Sequence, residues 1–129
     1  MTGRQEIQLG TEVLAWSPWH PWLDLIDART SSIQIPNGRP DVYEVRRAAD
    51  SSGHRLTIGK ASDLRDRVRQ GLVKGKAKHS SGTRIRATED VERLEVRWAE
   101  TERPAAVEEE LYRLYRERFG TLPEYTKLT

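Results

Sequence analysis

An α+β domain built on a small, mainly antiparallel three-stranded sheet is the fold class that this sequence predicts. Three observations lead to it. Two short alternating strand patterns flank a turn-rich stretch, a third lies at Leu94, Val96 and Trp98, and helical periodicity falls between and after them. Residues 1–35 read as a Trp- and Pro-containing N-terminal extension packed on the domain, and residues 36–129 as the domain itself. In the extension Trp16, Trp19 and Trp22 alternate with Pro18 and Pro21, and packing is their simplest use. Pro21 suits the start of a short helix, because Trp22, Leu25, Ile26 and Arg29 share one helical face. Pro36-Asn37-Gly38-Arg39-Pro40 is a strong turn cluster.

The domain opens on a strand over Val42–Arg47, with Tyr43 and Val45 on one face. Ala49–Gly53 is turn chemistry, and Arg55–Ile58 returns as a second strand to complete a β-hairpin. A helix is expected from Ser62, as its N-cap, to Leu72. Leu64, Val68 and Leu72 form its apolar stripe, with Arg65 and Arg67 on the two edges. Lys74–Gly82 reads as a flexible basic loop. After the third strand, Pro104 opens a long helix that ends at Gly120, a residue suited to the left-handed turn closing a helix. Hairpin, helix, strand, helix is the order of an α/β sandwich.

At 129 residues the chain fits one domain, at roughly 100–200 residues each. Hydrophobic residues make up 36% and charged residues 33%, so a modest core lies under a heavily charged surface. No apolar run approaches the ~18–20 residues of a membrane span, and MTGRQEIQLG lacks the apolar stretch of a signal peptide. A cytoplasmic location with no membrane partner is therefore expected. The absence of cysteine excludes disulfides and thiolate metal sites, and His20, His54 and His79 lie far apart. A net charge of +2 is only mildly basic, but Lys and Arg dominate from Arg46 to Arg86 while carboxylates crowd Glu89 to Glu110. A positive face for a polyanion follows from that asymmetry.

One carboxylate stands out of pattern. At about 100° per residue, Val107, Leu111, Leu114, Tyr115 and Phe119 form the apolar stripe of the last helix. Glu109, Glu110, Arg113 and Glu117 fall on the opposite face, but Glu108 projects from within the stripe. A carboxylate aimed at a core must be paired, protonated or bound to a cation. An ion pair with a nearby arginine is the plain structural explanation, and a functional carboxylate is the other.

Asp41-Val42-Tyr43 and the run Thr57-Ile58-Gly59-Lys60-Ala61-Ser62-Asp63-Leu64-Arg65-Asp66-Arg67 resemble the GIY-YIG nuclease family, named for two strand motifs on the arms of a hairpin. The wording is most similar to the N-terminal incision domain of bacterial excision-repair nucleases. The resemblance spans about Pro36 to Tyr125 and implies an α/β sandwich around a three-stranded antiparallel sheet. It implies that Tyr43 positions or deprotonates the attacking water, that Gly59 is the second motif's glycine, and that Arg67 contacts the scissile phosphate. It also implies one divalent ion, Mg²⁺ or Mn²⁺, on a glutamate of a later helix. The spacing of Leu111, Tyr112, Leu114 and Tyr115 selects Glu108 for that place. Departures from the pattern are Asp41 for glycine, Thr57 for the second tyrosine, Gly71 for a histidine or tyrosine, and Thr126 for asparagine. Lys60 and His79 are the candidates to compensate.

The expected function is thus a divalent-metal-dependent DNA endonuclease that hydrolyses phosphodiester bonds. The ion on Glu108 would neutralise the phosphate, and Arg67 would offer its planar fork of donors. Tyr43, its phenol pKa lowered by nearby cations, would orient or deprotonate water. Lys60, Arg65, Arg69, Lys74, Lys76 and Lys78 are candidate contacts to the DNA backbone, while His54 reads as a solvated loop histidine. A catalytically degenerate nucleic-acid-binding module and a protein-interaction domain using the tryptophan-rich extension are the alternatives.

Overall fold

The computed structural model describes residues 5–9, 12–25, 39–68 and 80–126. Strands β1 (Gln5–Leu9) and β2 (Glu12–Trp16) pair as an antiparallel sheet of their own. The larger sheet contains β3 (His20–Pro21), β4 (Asp41–Arg47), β5 (Thr57–Ala61) and β6 (Leu94–Glu100) in the order β3-β6-β4-β5. All of its neighbours are antiparallel. Helix α1 (Leu64–Asp66) follows β5, α2 (Ser80–Thr88) precedes β6, and α3 (Pro104–Phe119) is the last element among the described residues. The α+β class with a small antiparallel sheet is what the sequence predicts, but the sheet has four strands instead of three.

The fourth strand comes from the extension. His20 pairs with Val96 and Pro21 with Glu95, while the His20 ring stacks on Trp98 with centroids 4.8 Å apart. A proline has no N–H to donate, which an edge strand tolerates. The helix expected from Pro21 is reduced to one 3₁₀ turn over Trp22–Leu25, whose Trp22 and Leu25 are buried. Ile26 and Arg29 lie outside the described residues.

A second correction concerns Ser80–Gly82, expected in a loop but helical as the start of α2. Serine and glycine are weak helix formers, so tertiary contacts decide here. The Ser81 hydroxyl donates to the Tyr125 carbonyl at 2.8 Å, and Ile85 is fully buried. The helix expected from Ser62 opens instead at Leu64, so Asp63 stands directly before it, and its described part ends in a wider turn at Arg67–Val68.

β4 is covered on both faces. Tyr43 and Val45 join Leu64, Val68, Ile85, Leu94 and Val96 in one cluster. Val42 joins Trp16, Ile58, Ala99, Val107, Leu111 and Tyr115 in the other. α3 presents Val107, Leu111 and Tyr115 inward, keeps the Arg113 pairs with Glu110 and Glu117 outward, and ends where Gly120 turns left-handed at φ 76°.

Candidate functional site

The site is built on the edge strand β5. Gly59 lies opposite Tyr43 across the hairpin, and a Cβ on Gly59 would overlap Cζ and Oη of the phenol. A bare backbone at this position lets the ring cross the neighbouring strand. The turn leaving β5 brings the Arg67 guanidinium into hydrogen-bonding contact with that phenol, and the Glu108 carboxylate of α3 is near enough to act on it electrostatically. Tyr43, Arg67 and Glu108 therefore converge, although 41 positions separate the last two (108 − 67).

Glu108 is half-buried, and its partner is a lysine where the sequence points to an arginine. The Lys60 ammonium lies 3.6 Å from its Oε1, with the lysine side chain about half exposed. One helical turn on, Tyr112 donates its hydroxyl to the Ile58 carbonyl of β5 at 2.7 Å. The Glu108 carboxylate and the Thr126 hydroxyl lie close enough to act on the same phenol. Thr126 in turn sits 3.4 Å, oxygen to oxygen, from the Thr57 hydroxyl. Positions 57 and 126, which depart from the nuclease pattern, thus meet in one chain of hydroxyls that ends on a phenol. Tyr112 is the residue that sequence reasoning missed, and its signal was the four-residue step from Glu108.

The electrostatics correct one expectation. Burial pushes the Tyr43 phenol up to about 12, outweighing the opposing pull of Arg67, so its pKa is raised and not lowered. Burial likewise lifts Glu108 above the usual carboxylate range, offset in part by Lys60, Tyr112 and Arg67. Burial also raises the Tyr112 phenol, with Glu108 adding to the shift. Both phenols are neutral hydrogen-bonding groups near pH 7.

No protein-family model, curated protein or solved structure matches this chain. What the site can do follows from its own chemistry. Among the described residues, no three His, Asp or Glu side chains cluster as a ready-made metal cage. One carboxylate near the Tyr43 and Tyr112 phenols suits a hard ion such as Mg²⁺, which keeps most of its waters and takes phosphate as ligand. It does not suit zinc, which prefers nitrogen and sulfur donors. Lys60 supplies the carboxylate's positive neighbour on a flexible stem that can give way to an ion.

Of the remaining candidates, Arg65 is exposed on α1, two positions before Arg67. Arg69, Lys74, Lys76, Lys78 and His79 lie outside the described residues, as does Gly71. His54 is remote in role: its ring packs on Phe119 at 4.1 Å and its Nδ1 meets the Ser52 hydroxyl. A cavity of about 720 Å³ opens beside Thr126, lined by Arg47, His54, Arg55 and Glu124 among others. Its arginines are already paired, Arg47 with Glu89 and Glu124 and Arg55 with Glu44.

Proposed function

We propose that this chain is a divalent-metal-dependent DNA endonuclease of the GIY-YIG type. The observation that carries the reading is the convergence of Tyr43, Arg67 and Glu108 at the edge of β5. Glu108 would hold one Mg²⁺ or Mn²⁺ ion, which when bound supplies positive charge to the phosphate and the leaving oxygen. Arg67 is exposed and offers a bidentate fork to a phosphodiester. Lys60 adds a second positive charge at the same edge. Tyr43, neutral at working pH, orients the attacking water through its hydroxyl and leaves proton removal to solvent. A bond from water oxygen to phosphorus then forms as the bond to the sugar oxygen breaks, and the leaving oxygen takes a proton from solvent.

A module that binds DNA without cutting it is the second reading. Thr57 in place of a phenol and the raised Tyr43 pKa favour it. Nicking of supercoiled plasmid separates the two. The nuclease reading expects nicking with Mg²⁺ that stops on chelation and is lost in Glu108→Gln with DNA binding retained. Salt-sensitive binding by the wild type without nicking under Mg²⁺ or Mn²⁺ would establish the other.

A further inference from the structure

We infer that Tyr112 is a positioning residue of this site: its phenol, anchored on the Ile58 carbonyl and backed by the Thr126–Thr57 hydroxyl pair, fixes the Glu108 carboxylate in the pose that holds a divalent ion. The inference rests on the nuclease reading above and deepens it. Residues 108 and 112 are one turn apart on α3, so their side chains leave the helix on the same side. The 2.7 Å bond from Tyr112 Oη to the Ile58 carbonyl ties that side of the helix to the strand carrying Gly59 and Lys60.

A phenol has one proton to donate and lone pairs to accept with. The Tyr112 proton goes to the Ile58 carbonyl, which holds the phenol beside the Glu108 carboxylate and within reach of Thr126. Thr126 is held in its turn: its N–H donates to the Pro123 carbonyl at 3.0 Å, and the Tyr125 N–H beside it donates to Leu56 at 2.8 Å. The segment behind Tyr112 is thus tied to the hairpin through Leu56 and Thr57. A partner that orients a ligating carboxylate acts on metal affinity, and its removal typically costs about 10–100-fold. Thr57 and Thr126 gain a role by this route. They do not replace the tyrosine and asparagine of the nuclease pattern one for one; they support a phenol delivered from the helix.

The test is Mn²⁺ binding to the full chain by isothermal titration, with thermal midpoints recorded alongside. Tyr112→Phe keeps the ring and removes the hydroxyl. It is expected to weaken Mn²⁺ binding by about 10–100-fold. Plasmid nicking should fall at limiting Mn²⁺ and recover at saturating Mn²⁺, which a merely structural tyrosine would not produce. Thr126→Val removes the supporting hydroxyl without touching α3 and should weaken binding by a smaller factor, so it carries the test should Tyr112→Phe fail to fold. Wild-type affinity in Tyr112→Phe, with Glu108→Gln binding no Mn²⁺, would overturn the inference and leave the nuclease reading standing. A wild type that binds no Mn²⁺, or a Glu108→Gln protein that binds it as well as the wild type, would overturn the metal assignment itself and this inference with it.

Discussion

Gly59 is required by the ring that lies across it. Any Cβ there meets the Tyr43 phenol, and that phenol is enclosed at 2% exposure. Gly59→Ala should therefore cost about 1–3 kcal/mol by overpacking. It should also push the hydroxyl off its place beside Arg67. A thermal midpoint several degrees lower, together with loss of nicking in protein that still folds, is the expected pair of results; full activity would show that the phenol's position is not needed. Tyr43, Arg67 and Glu108 are candidates from the sequence because the resemblance to the nuclease family marks the first two and helical periodicity marks the third. Tyr112 is not, because a tyrosine on an amphipathic helix looks like packing until its hydroxyl is seen on the Ile58 carbonyl. The direction of the Tyr43 shift is hidden for a related reason. Neighbouring cations are visible in a sequence, but the depth of burial that outweighs them is not.

At the scale of elements, the strands around Tyr43 and Trp98 and helix α3 follow their alternation and periodicity closely. β6 covers Leu94–Glu100 and α3 covers Pro104–Phe119, ending before Gly120 as its glycine predicts. α2 escapes because its sequence, SSGTRIRAT, has one strong apolar residue and gains its helix from contacts with Tyr125 and the core. The buried Glu44 is equally hidden: it binds Arg97 and Arg55, partners 53 and 11 positions away on other segments, and Arg97 lies over Trp16 at 4.2 Å. The start of β4 carries its own liability. Asp41 is fully buried, its carboxylate oxygens have no hydrogen-bond partner among the described residues, and burial, with Glu100 adding, pushes its pKa from 3.8 up to about 7. A folded-state pKa above the unfolded one means that the fold prefers the protonated acid. Stability is then fully present below about pH 4 and falls as pH rises through about 7, by a total on the order of 4 kcal/mol. Asp41→Asn removes the titration. Its thermal midpoint should exceed the wild type's at about pH 8 by more than at about pH 5. Parallel pH profiles for the two proteins would refute the account of Asp41.

For the whole molecule, a net charge of +2 cannot by itself draw the chain to DNA. What counts is that Lys60 and Arg67 meet at one edge of the sheet, with Arg65 two positions before Arg67 in the chain, all three exposed. Three phosphate contacts predict a log–log salt dependence of DNA affinity with a slope of about −3. The basic residues between positions 69 and 79 would steepen it if they also touch the backbone. Affinity indifferent to salt would show that the basic edge is not the binding surface. Binding alone, however, does not reach the central claim, which is that Glu108 is a functional carboxylate and not a surface charge. Glu109 and Glu110 are its adjacent controls, with Glu110 already engaged by Arg113 on the outer face. Plasmid nicking under Mg²⁺ by Glu108→Gln, Glu109→Gln and Glu110→Gln decides the matter most directly. Glu108→Gln should nick no plasmid, and its thermal midpoint should equal or exceed the wild type's, because a carboxylate whose pKa burial has raised is relieved of its charge. The other two variants should cut as the wild type does, and a Glu108→Gln protein that also cut like the wild type would contradict the account.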